Sequence, residues 1–133
     1  MDALKRVAVV FTGGTISMVV DPVAGGAVPA LDGAGILART PGLDRIAEVV
    51  PVERGLVPAS HFTFRALLDL AAAIRGLLTD PAIHGVVVVQ GTDTIEETSF
   101  LLDLLLASPK PVVVTGAMRN AAERDYDGPA NLR

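Results

Sequence analysis

Residues 85–90 read Gly-Val-Val-Val-Val-Gln, an apolar run with no polar residue between its valines. Two more runs of this kind stand at residues 6–12 and 111–115. A strand with one face in water alternates polar and apolar residues, whereas a continuous β-branched run is typical of a strand buried on both faces. The three runs therefore predict a parallel sheet with helices on each side.

Two helical patterns lie between these runs. In residues 64–78 apolar side chains recur at steps of three and four, and the pattern ends at Asp80. In residues 95–106 a second pattern follows Thr94 and Glu97, whose spacing is that of a capping box. Strand, helix and strand follow one another as in a βαβ unit. The predicted fold class is α/β, with a doubly wound, mainly parallel sheet of the flavodoxin-like or Rossmann-like kind.

Weaker signals fill the rest of the chain. They predict short helices at 36–39 and 44–49 and a strand at 50–56. Residues 17–31 contain two glycines and two prolines and have no helical period, so they predict a loop that is mobile without ligand. Residues 127–133 have the composition of a helix start that stops within one turn. Since one turn is costly to nucleate, we expect the natural polypeptide to continue beyond it.

The charge balance excludes several classes of partner. Eleven Lys and Arg against fifteen Asp and Glu leave a net charge of −4, which provides no basic footprint for nucleic acid or anionic lipid. The apolar run at 7–11 is too short for a signal peptide, and no apolar stretch approaches the roughly 18 residues of a membrane helix. We therefore expect a cytoplasmic protein with no nucleic acid or membrane partner.

The absence of cysteine limits the chemistry. With no cysteine in the sequence there is no disulfide, no thiolate metal site and no cysteine nucleophile. No histidine or carboxylate pair has the spacing of metal ligands. The sequence predicts no metal and no cofactor, and any nucleophile must be a hydroxyl, an amine or a carboxylate.

Each apolar run leads into a small polar turn. Residues 12–15 read Thr-Gly-Gly-Thr, residues 91–94 read Gly-Thr-Asp-Thr and residues 115–118 read Thr-Gly-Ala-Met. The carboxyl ends of parallel strands share one edge of the sheet, where open α/β sheets bind ligands. We expect one pocket there that suits a hydroxyl nucleophile, with Asp93 as an acceptor or cation partner, and five hydroxyls in it: Thr12, Thr15, Thr92, Thr94 and Thr115. The first turn lacks the glycine spacing of a dinucleotide site.

Four segments resemble the bacterial-type L-asparaginase family. Thr-Gly-Gly-Thr-Ile at 12–16 and Gln-Gly-Thr-Asp-Thr-Ile-Glu-Glu-Thr at 90–98 look like its two signature motifs, and 111–119 and 127–132 resemble its next stretches. The resemblance implies an amidohydrolase that converts L-asparagine to L-aspartate and ammonia without a cofactor. It also implies that residues 1–133 are part of a larger N-terminal domain, with the C-terminal domain absent. The full-length protein would be a homo-oligomer, a dimer or tetramer.

The resemblance also implies roles for individual residues. Thr15 occupies the position of the nucleophile. Thr92 would assist catalysis, and Asp93 would bind the α-ammonium group of the substrate. Ser60 lies where the family binds the α-carboxylate, and the carbonyl of Ala117 would orient the leaving amide nitrogen. Gly14 and Gly91 complete the substrate-binding set, because glycine lets the backbone approach a ligand closely.

The sequence departs from the family pattern in its mobile loop. The family has a tyrosine near the nucleophile there, and Val28 stands at that place, while the sole tyrosine is Tyr126. A lysine that pairs with the second threonine, and an acidic residue from a neighbouring subunit, would lie beyond Arg133. Two alternatives stay open: a non-catalytic regulatory module that binds Asn or Asp, and the ammonia-generating subunit of a tRNA-dependent amidotransferase. The sequence does not decide between Asn and Gln.

Other chemistry-bearing residues have simpler interpretations. His61 follows Ser60, but adjacent side chains in an extended segment point to opposite faces, which disfavours a Ser-His dyad. We expect His84 to be structural because it precedes a buried strand. Asp93 or Thr94 could cap the helix that follows them.

Overall fold

A computed structural model describes residues 3–133, which form six strands and four helices. The strands are β1 (Lys5–Phe11), β2 (Met18–Asp21), β3 (Gly26–Pro29), β4 (Ala47–Glu53), β5 (Gly85–Val89) and β6 (Val112–Thr115). The helices are α1 (Gly33–Ala38), α2 (Phe64–Thr79), α3 (Ile95–Leu105) and α4 (Gly128–Leu132). No helix within the described part of the chain is both long enough and apolar enough to cross a membrane.

Four of the six strands form a parallel sheet in the order β4-β1-β5-β6. Successive side chains of β1 point to opposite faces of the sheet and pack into two different hydrophobic cores. Ala8 and Val10 pack with buried residues of α2 and α3, whereas Val9 and Phe11 pack with a cluster that includes residues of α1 and α4. Both faces of the sheet are covered, which confirms the predicted doubly wound α/β fold.

Helix α2 follows its predicted pattern closely. Its first turn is capped by Thr63, whose side chain accepts a hydrogen bond from the N–H of Ala66 at 3.1 Å. Its buried face carries Leu70, Ala71, Ile74 and Leu78. The chain then turns into β5, where the N–H of His84 donates to the carbonyl of Arg6 at 2.8 Å. The Nδ1 atom of His84 accepts from the N–H of Arg6 at 3.2 Å, so the histidine is structural, as predicted.

The predicted helix at 44–49 is wrong. Residues Leu43–Arg45 form a single 3-10 turn, and β4 begins at Ala47. All seven residues of β4 pair with β1, and these ladder hydrogen bonds outweigh the weak local helical preference of so short a segment. The other short helix exists and is shifted towards the N-terminus: α1 begins at Gly33, behind Asp32, whose side chain accepts from the N–H of Gly35 at 2.8 Å.

Residues 17–31 are not the irregular loop that the sequence predicts. They contain the antiparallel hairpin β2–β3, in which Val19 pairs with Val28. Asp21 builds the turn, because its carboxylate accepts from the N–H groups of Val23 and Ala24 at 2.7 and 3.1 Å. Gly25 supplies the left-handed backbone conformation at φ +70°. The mobility of this hairpin stays a prediction.

Candidate active site

The strand order places a crevice beside the two motifs. From β1 the chain passes to β4 on one side and then to β5 on the other, so the direction of winding changes between β1 and β5. Ligands of open α/β sheets bind at such a switch point, outside the carboxyl ends of the strands. The turn that follows β1 and the turn that follows β5 flank this position. Both motifs therefore lie where the fold by itself favours a binding site.

Gly14 and Gly91 bring these two turns into contact. A Cβ atom on Gly14 would overlap the backbone of Gly91 and would lie 2.9 Å from the carbonyl carbon of Gln90. Gly14 also has φ +90° and ψ −173°, a conformation that only glycine adopts readily. The neighbouring Gly13, at φ +108°, approaches Val57 in the same way, because its Cβ atom would lie 2.7 Å from the backbone nitrogen. Each motif therefore needs its glycines for close backbone packing.

The 3-10 turn Ala59–His61 also belongs to this cluster. A Cβ atom on Gly91 would lie 3.1 Å from the backbone nitrogen of Ala59. The hydroxyl of Thr94 donates to the carbonyl of Ala59 at 3.3 Å. The capping box predicted for Thr94 is therefore not formed, because the hydroxyl bonds to this turn and makes no cap bond to α3. Ser60 and His61 lie within the turn, so the extended segment assumed for them is also wrong.

The turn after β6 completes the cluster. A Cβ atom on Gly116 would overlap the carbonyl oxygen of Gln90 and would lie 3.1 Å from Cγ2 of Thr92. Ala117 follows, and it is buried. The structure thus brings together the segments that carry every predicted site residue. Gly14, Gly91 and Ala117 are buried, Thr15 and Thr92 are half-buried, and Ser60 and Asp93 are exposed.

The five hydroxyls expected in one pocket divide into two groups. Thr12, Thr94 and Thr115 donate to backbone carbonyls, at 2.9 Å to Val89, 3.3 Å to Ala59 and 3.4 Å to Asn131. A hydroxyl donates one hydrogen bond, so these three donors are already used by backbone acceptors. That all five line one pocket stays a prediction. Thr15, which opens the 3-10 turn Thr15–Ser17, and Thr92, which opens the turn Thr92–Thr94, are the two left as candidates for substrate chemistry.

The sequence did not reveal how the turn after β6 is held. The carboxylate of Asp127 accepts from the N–H groups of Met118 and Arg119 at 3.1 and 2.9 Å, and the side-chain amide of Asn131 donates to the carbonyl of Gly116 at 3.0 Å. Burial opposes ionisation of Asp127, but these backbone hydrogen bonds outweigh it and hold the pKa of the carboxyl below its ordinary value. The spacing of Asp127 and Asn131, four residues apart at a helix start, is the signal that could have predicted this arrangement.

The single tyrosine lies outside the hairpin, in the loop before α4. Val28 lies in β3, and Tyr126 reaches the first motif instead, where its hydroxyl donates to the carbonyl of Ile16 at 2.7 Å. Burial raises the pKa of Tyr126, so the phenol keeps its proton at ordinary pH.

Neither a metal-binding cluster nor a separate cavity offers an alternative to this site within residues 3–133. Residues 3–133 hold no group of three or more His, Cys, Asp or Glu side chains that could bind a metal ion. A cavity of about 560 Å³ lies between Leu4, Leu37 and Val49. It adjoins the start of β4, at the opposite edge of the sheet from the four turns, and its lining is mainly apolar.

Comparisons with known proteins agree on one family. The family model described as asparaginase, N-terminal, matches residues 6–133. A probable L-asparaginase of Deinococcus radiodurans is 39% identical over 136 residues, which cover 98% of this chain and 38% of the relative. A glutaminase-asparaginase of Acinetobacter glutaminasificans is 35% identical over 97 residues, which cover 73% of this chain and 29% of the relative.

A solved structure has the same fold. The crystal structure of a probable cytoplasmic L-asparaginase from Campylobacter jejuni superposes with a TM-score of 0.84 at 34% identity. The match covers 96% of this chain and 37% of that one. The chain thus spans less than half the length of the relatives it matches.

Proposed function

The chain belongs to the asparaginase family, and from that membership we propose that it acts in an amidohydrolase that converts L-asparagine to L-aspartate and ammonia. Residues 1–133 would be part of the N-terminal domain of that enzyme. Membership rests on the family model that matches residues 6–133. The activity is our proposal, because the relatives are much longer than this chain.

The contact between Gly14 and Gly91 is the observation that supports the proposal most directly. It places the turn of Thr15 against the turn of Thr92 and Asp93 at the switch point of the sheet. Amide hydrolysis by a hydroxyl needs a nucleophile, polar groups that assist it and ionic contacts that hold the substrate. The two turns offer hydroxyls and a carboxylate within one crevice, which suits a small zwitterionic amide.

Each residue of the site has a role in this proposal. The hydroxyl of Thr15 attacks the side-chain amide carbon, ammonia leaves, and water releases the acyl group as a carboxylate. Thr92 assists the proton transfers. Asp93 holds the α-ammonium group and Ser60 the α-carboxylate, while the carbonyl of Ala117 accepts a hydrogen bond from the leaving amide nitrogen. The backbone of Gly14 and of Gly91 completes the proposed substrate-binding set.

The cellular location, the oligomeric state and the substrate range of the enzyme are also proposals. The probable cytoplasmic L-asparaginase of similar fold supports a cytoplasmic location. We propose a homo-oligomer in which a neighbouring subunit contributes to the site. One relative bears the name glutaminase-asparaginase, so glutamine is the second substrate to test.

Substitution of Thr15 and of Asp93 tests the proposal in the protein as expressed from its gene. Thr15→Ala should lower kcat at least about a thousandfold and leave aspartate binding nearly unchanged, because a nucleophile forms its bond only on the way to the transition state. Asp93→Ala should also weaken aspartate binding, by about 10- to 150-fold, since its charge-assisted hydrogen bond acts in the ground state. Ammonia release measures the first effect and calorimetry the second.

Thr79→Ala is the matched control. Its hydroxyl donates to the carbonyl of Gly76 at the exposed end of α2, which leads into the start of β5, whereas the second motif follows the end of that strand, so both readouts should stay at their wild-type values. Near wild-type ammonia release by Thr15→Ala would contradict Thr15 as the nucleophile. A wild-type protein that releases no ammonia but binds aspartate, with that binding lost in Asp93→Ala, would contradict the hydrolase. The non-catalytic amino-acid-binding module would then be the better interpretation, and Val28 in the hairpin would agree with it.

A further inference from the structure

Tyr126 connects the last loop of the chain to the turn that carries Thr15. Its ring is half-buried against the cluster that contains Phe11 and Ile16. Its hydroxyl donates to the carbonyl of Ile16 at 2.7 Å, across 110 residues of sequence. Ile16 is fully buried and directly follows Thr15. The hydrogen bond therefore acts on the residue next to the proposed nucleophile.

The turn of Thr15 does not use this carbonyl for its own closure. Inside the turn, the N–H of Ser17 donates to Gly14 at 2.9 Å, and the N–H of Met18 donates to Thr15. The same loop makes a second hydrogen bond just beyond the turn, where the N–H of Ala121 donates to the carbonyl of Met18 at 2.9 Å. The carbonyls of residues 16 and 18 are thus both held from outside by residues 121–126.

The tyrosine is itself held in place. A Cβ atom on Gly128 would lie 2.6 Å from the ring of Tyr126, so glycine at this position leaves the space that the ring occupies. The adjacent Asp127 accepts from the backbone of Met118 and Arg119. These contacts order the loop from both ends. A donor that is already ordered positions its acceptor at a smaller entropic cost.

We propose that Tyr126 is a positioning residue for Thr15, holding the 3-10 turn so that the hydroxyl keeps the orientation needed for attack. The inference rests on the proposed function, since orientation of Thr15 matters only if Thr15 reacts. It concerns the orientation of the nucleophile and not the binding of the substrate. A purely structural tyrosine would change stability alone, whereas a positioning tyrosine changes kcat more than KM.

Tyr126→Phe removes the hydroxyl and keeps the ring. In the protein as expressed from its gene, we expect kcat for asparagine to fall by about 5- to 100-fold, since small displacements of a reacting group are costly. We expect KM to change less than about twofold, because the groups proposed to bind substrate are untouched. We also expect the amide of Ser17 to exchange faster with solvent, since its turn loses an anchor.

Thr40→Val is the matched control. Thr40 is buried, and its hydroxyl donates to the carbonyl of Ile36 at 2.9 Å, at the end of α1. This variant also deletes a hydroxyl that pairs with a backbone carbonyl, and it should lower stability while kcat and Ser17 exchange stay at wild-type values. Circular dichroism and thermal unfolding correct every rate for the folded fraction.

The outcomes separate this inference from the proposed function. A wild-type protein that releases ammonia, with Tyr126→Phe equally fast per folded molecule, overturns the positioning role and leaves the hydrolase intact. A wild-type protein that releases no ammonia from asparagine or glutamine overturns the hydrolase. In that case, faster Ser17 exchange in Tyr126→Phe than in Thr40→Val still supports control of the turn by Tyr126, and equal exchange in the two variants overturns it.

Discussion

Two residues without side chains determine how close the proposed catalytic groups come to each other. Gly14 precedes Thr15 and Gly91 precedes Thr92, and their backbones touch. Any side chain at position 14 would separate the two turns and would have to adopt a backbone conformation that it strongly disfavours. The glycines of the two motifs thus serve the site through packing. Thr12 likewise serves the packing of the first motif, since its buried hydroxyl donates to the carbonyl of Val89.

Gly14→Ala should therefore be costly at the residue scale. We expect it to destabilise the fold by about 2–5 kcal/mol, from overpacking together with backbone strain. Gly25→Ala is the control, because Gly25 also has positive φ but has open space around it. It should cost only the left-handed conformation, about 1–2 kcal/mol. Denaturant unfolding measures both values, and equal losses would show that the contact with Gly91 carries no energy.

At the scale of elements, the hairpin β2–β3 is held to the rest of the fold by few hydrogen bonds. Its two strands pair only with each other, outside the parallel sheet. A two-stranded hairpin is marginally stable in water by itself. The link from Ala121 to Met18 and the hydrogen bonds of Ala30 and Leu31 to the carbonyl of Ser17 hold only its base. The tip around Gly25 and Gly26 is exposed.

We therefore expect graded amide exchange along this element. Amides of the hairpin tip should exchange orders of magnitude faster than those of the central strand β1, and those of Ala30 and Leu31 should be intermediate. Mass spectrometry or NMR of hydrogen exchange without ligand is the measurement, with β1 as the internal reference. Protection at the tip equal to that of β1 would disprove the predicted mobility.

At the scale of the whole molecule, the four turns form one cluster, and the proposed mechanism needs groups beyond those that they supply. The resemblance calls for a lysine beside the second threonine and for an acidic residue from a neighbouring subunit. The chain spans 38% of the D. radiodurans relative and 37% of the solved neighbour. Besides the imidazole of His61, the groups that the described turns supply are one carboxylate and a few hydroxyls, which hold a substrate better than they activate one.

Residues 1–133 expressed alone should accordingly release no measurable ammonia from asparagine. A hydroxyl nucleophile without a base or a proton relay reacts slowly, and these groups are the ones that the resemblance assigns outside this segment. A sensitive ammonia assay on a preparation of verified mass is the measurement, with Thr15→Ala of the same segment as the background. Turnover above that background would show that the segment holds a sufficient site.

The sequence alone determined the parallel α/β core and the turns that carry the candidate site. The valine runs and the apolar spacing of α2 and α3 are local signals of burial, and the glycine-threonine turns follow each run directly. Helix α4 also began where Asp127, Gly128 and Pro129 predicted it. These features depend on a few consecutive residues, so a single stretch of sequence carries them.

Only the tertiary structure decided the features that depend on distant partners. Residues 47–49 became a strand because β1 offered an unpaired edge, and the hairpin at residues 18–29 is held at its base by the N–H of Ala121. Thr94 bonded to Ala59 and Tyr126 to Ile16 across 35 and 110 residues. Such pairs are set by which backbone groups lack a partner once the sheet has formed, and no local pattern records that need.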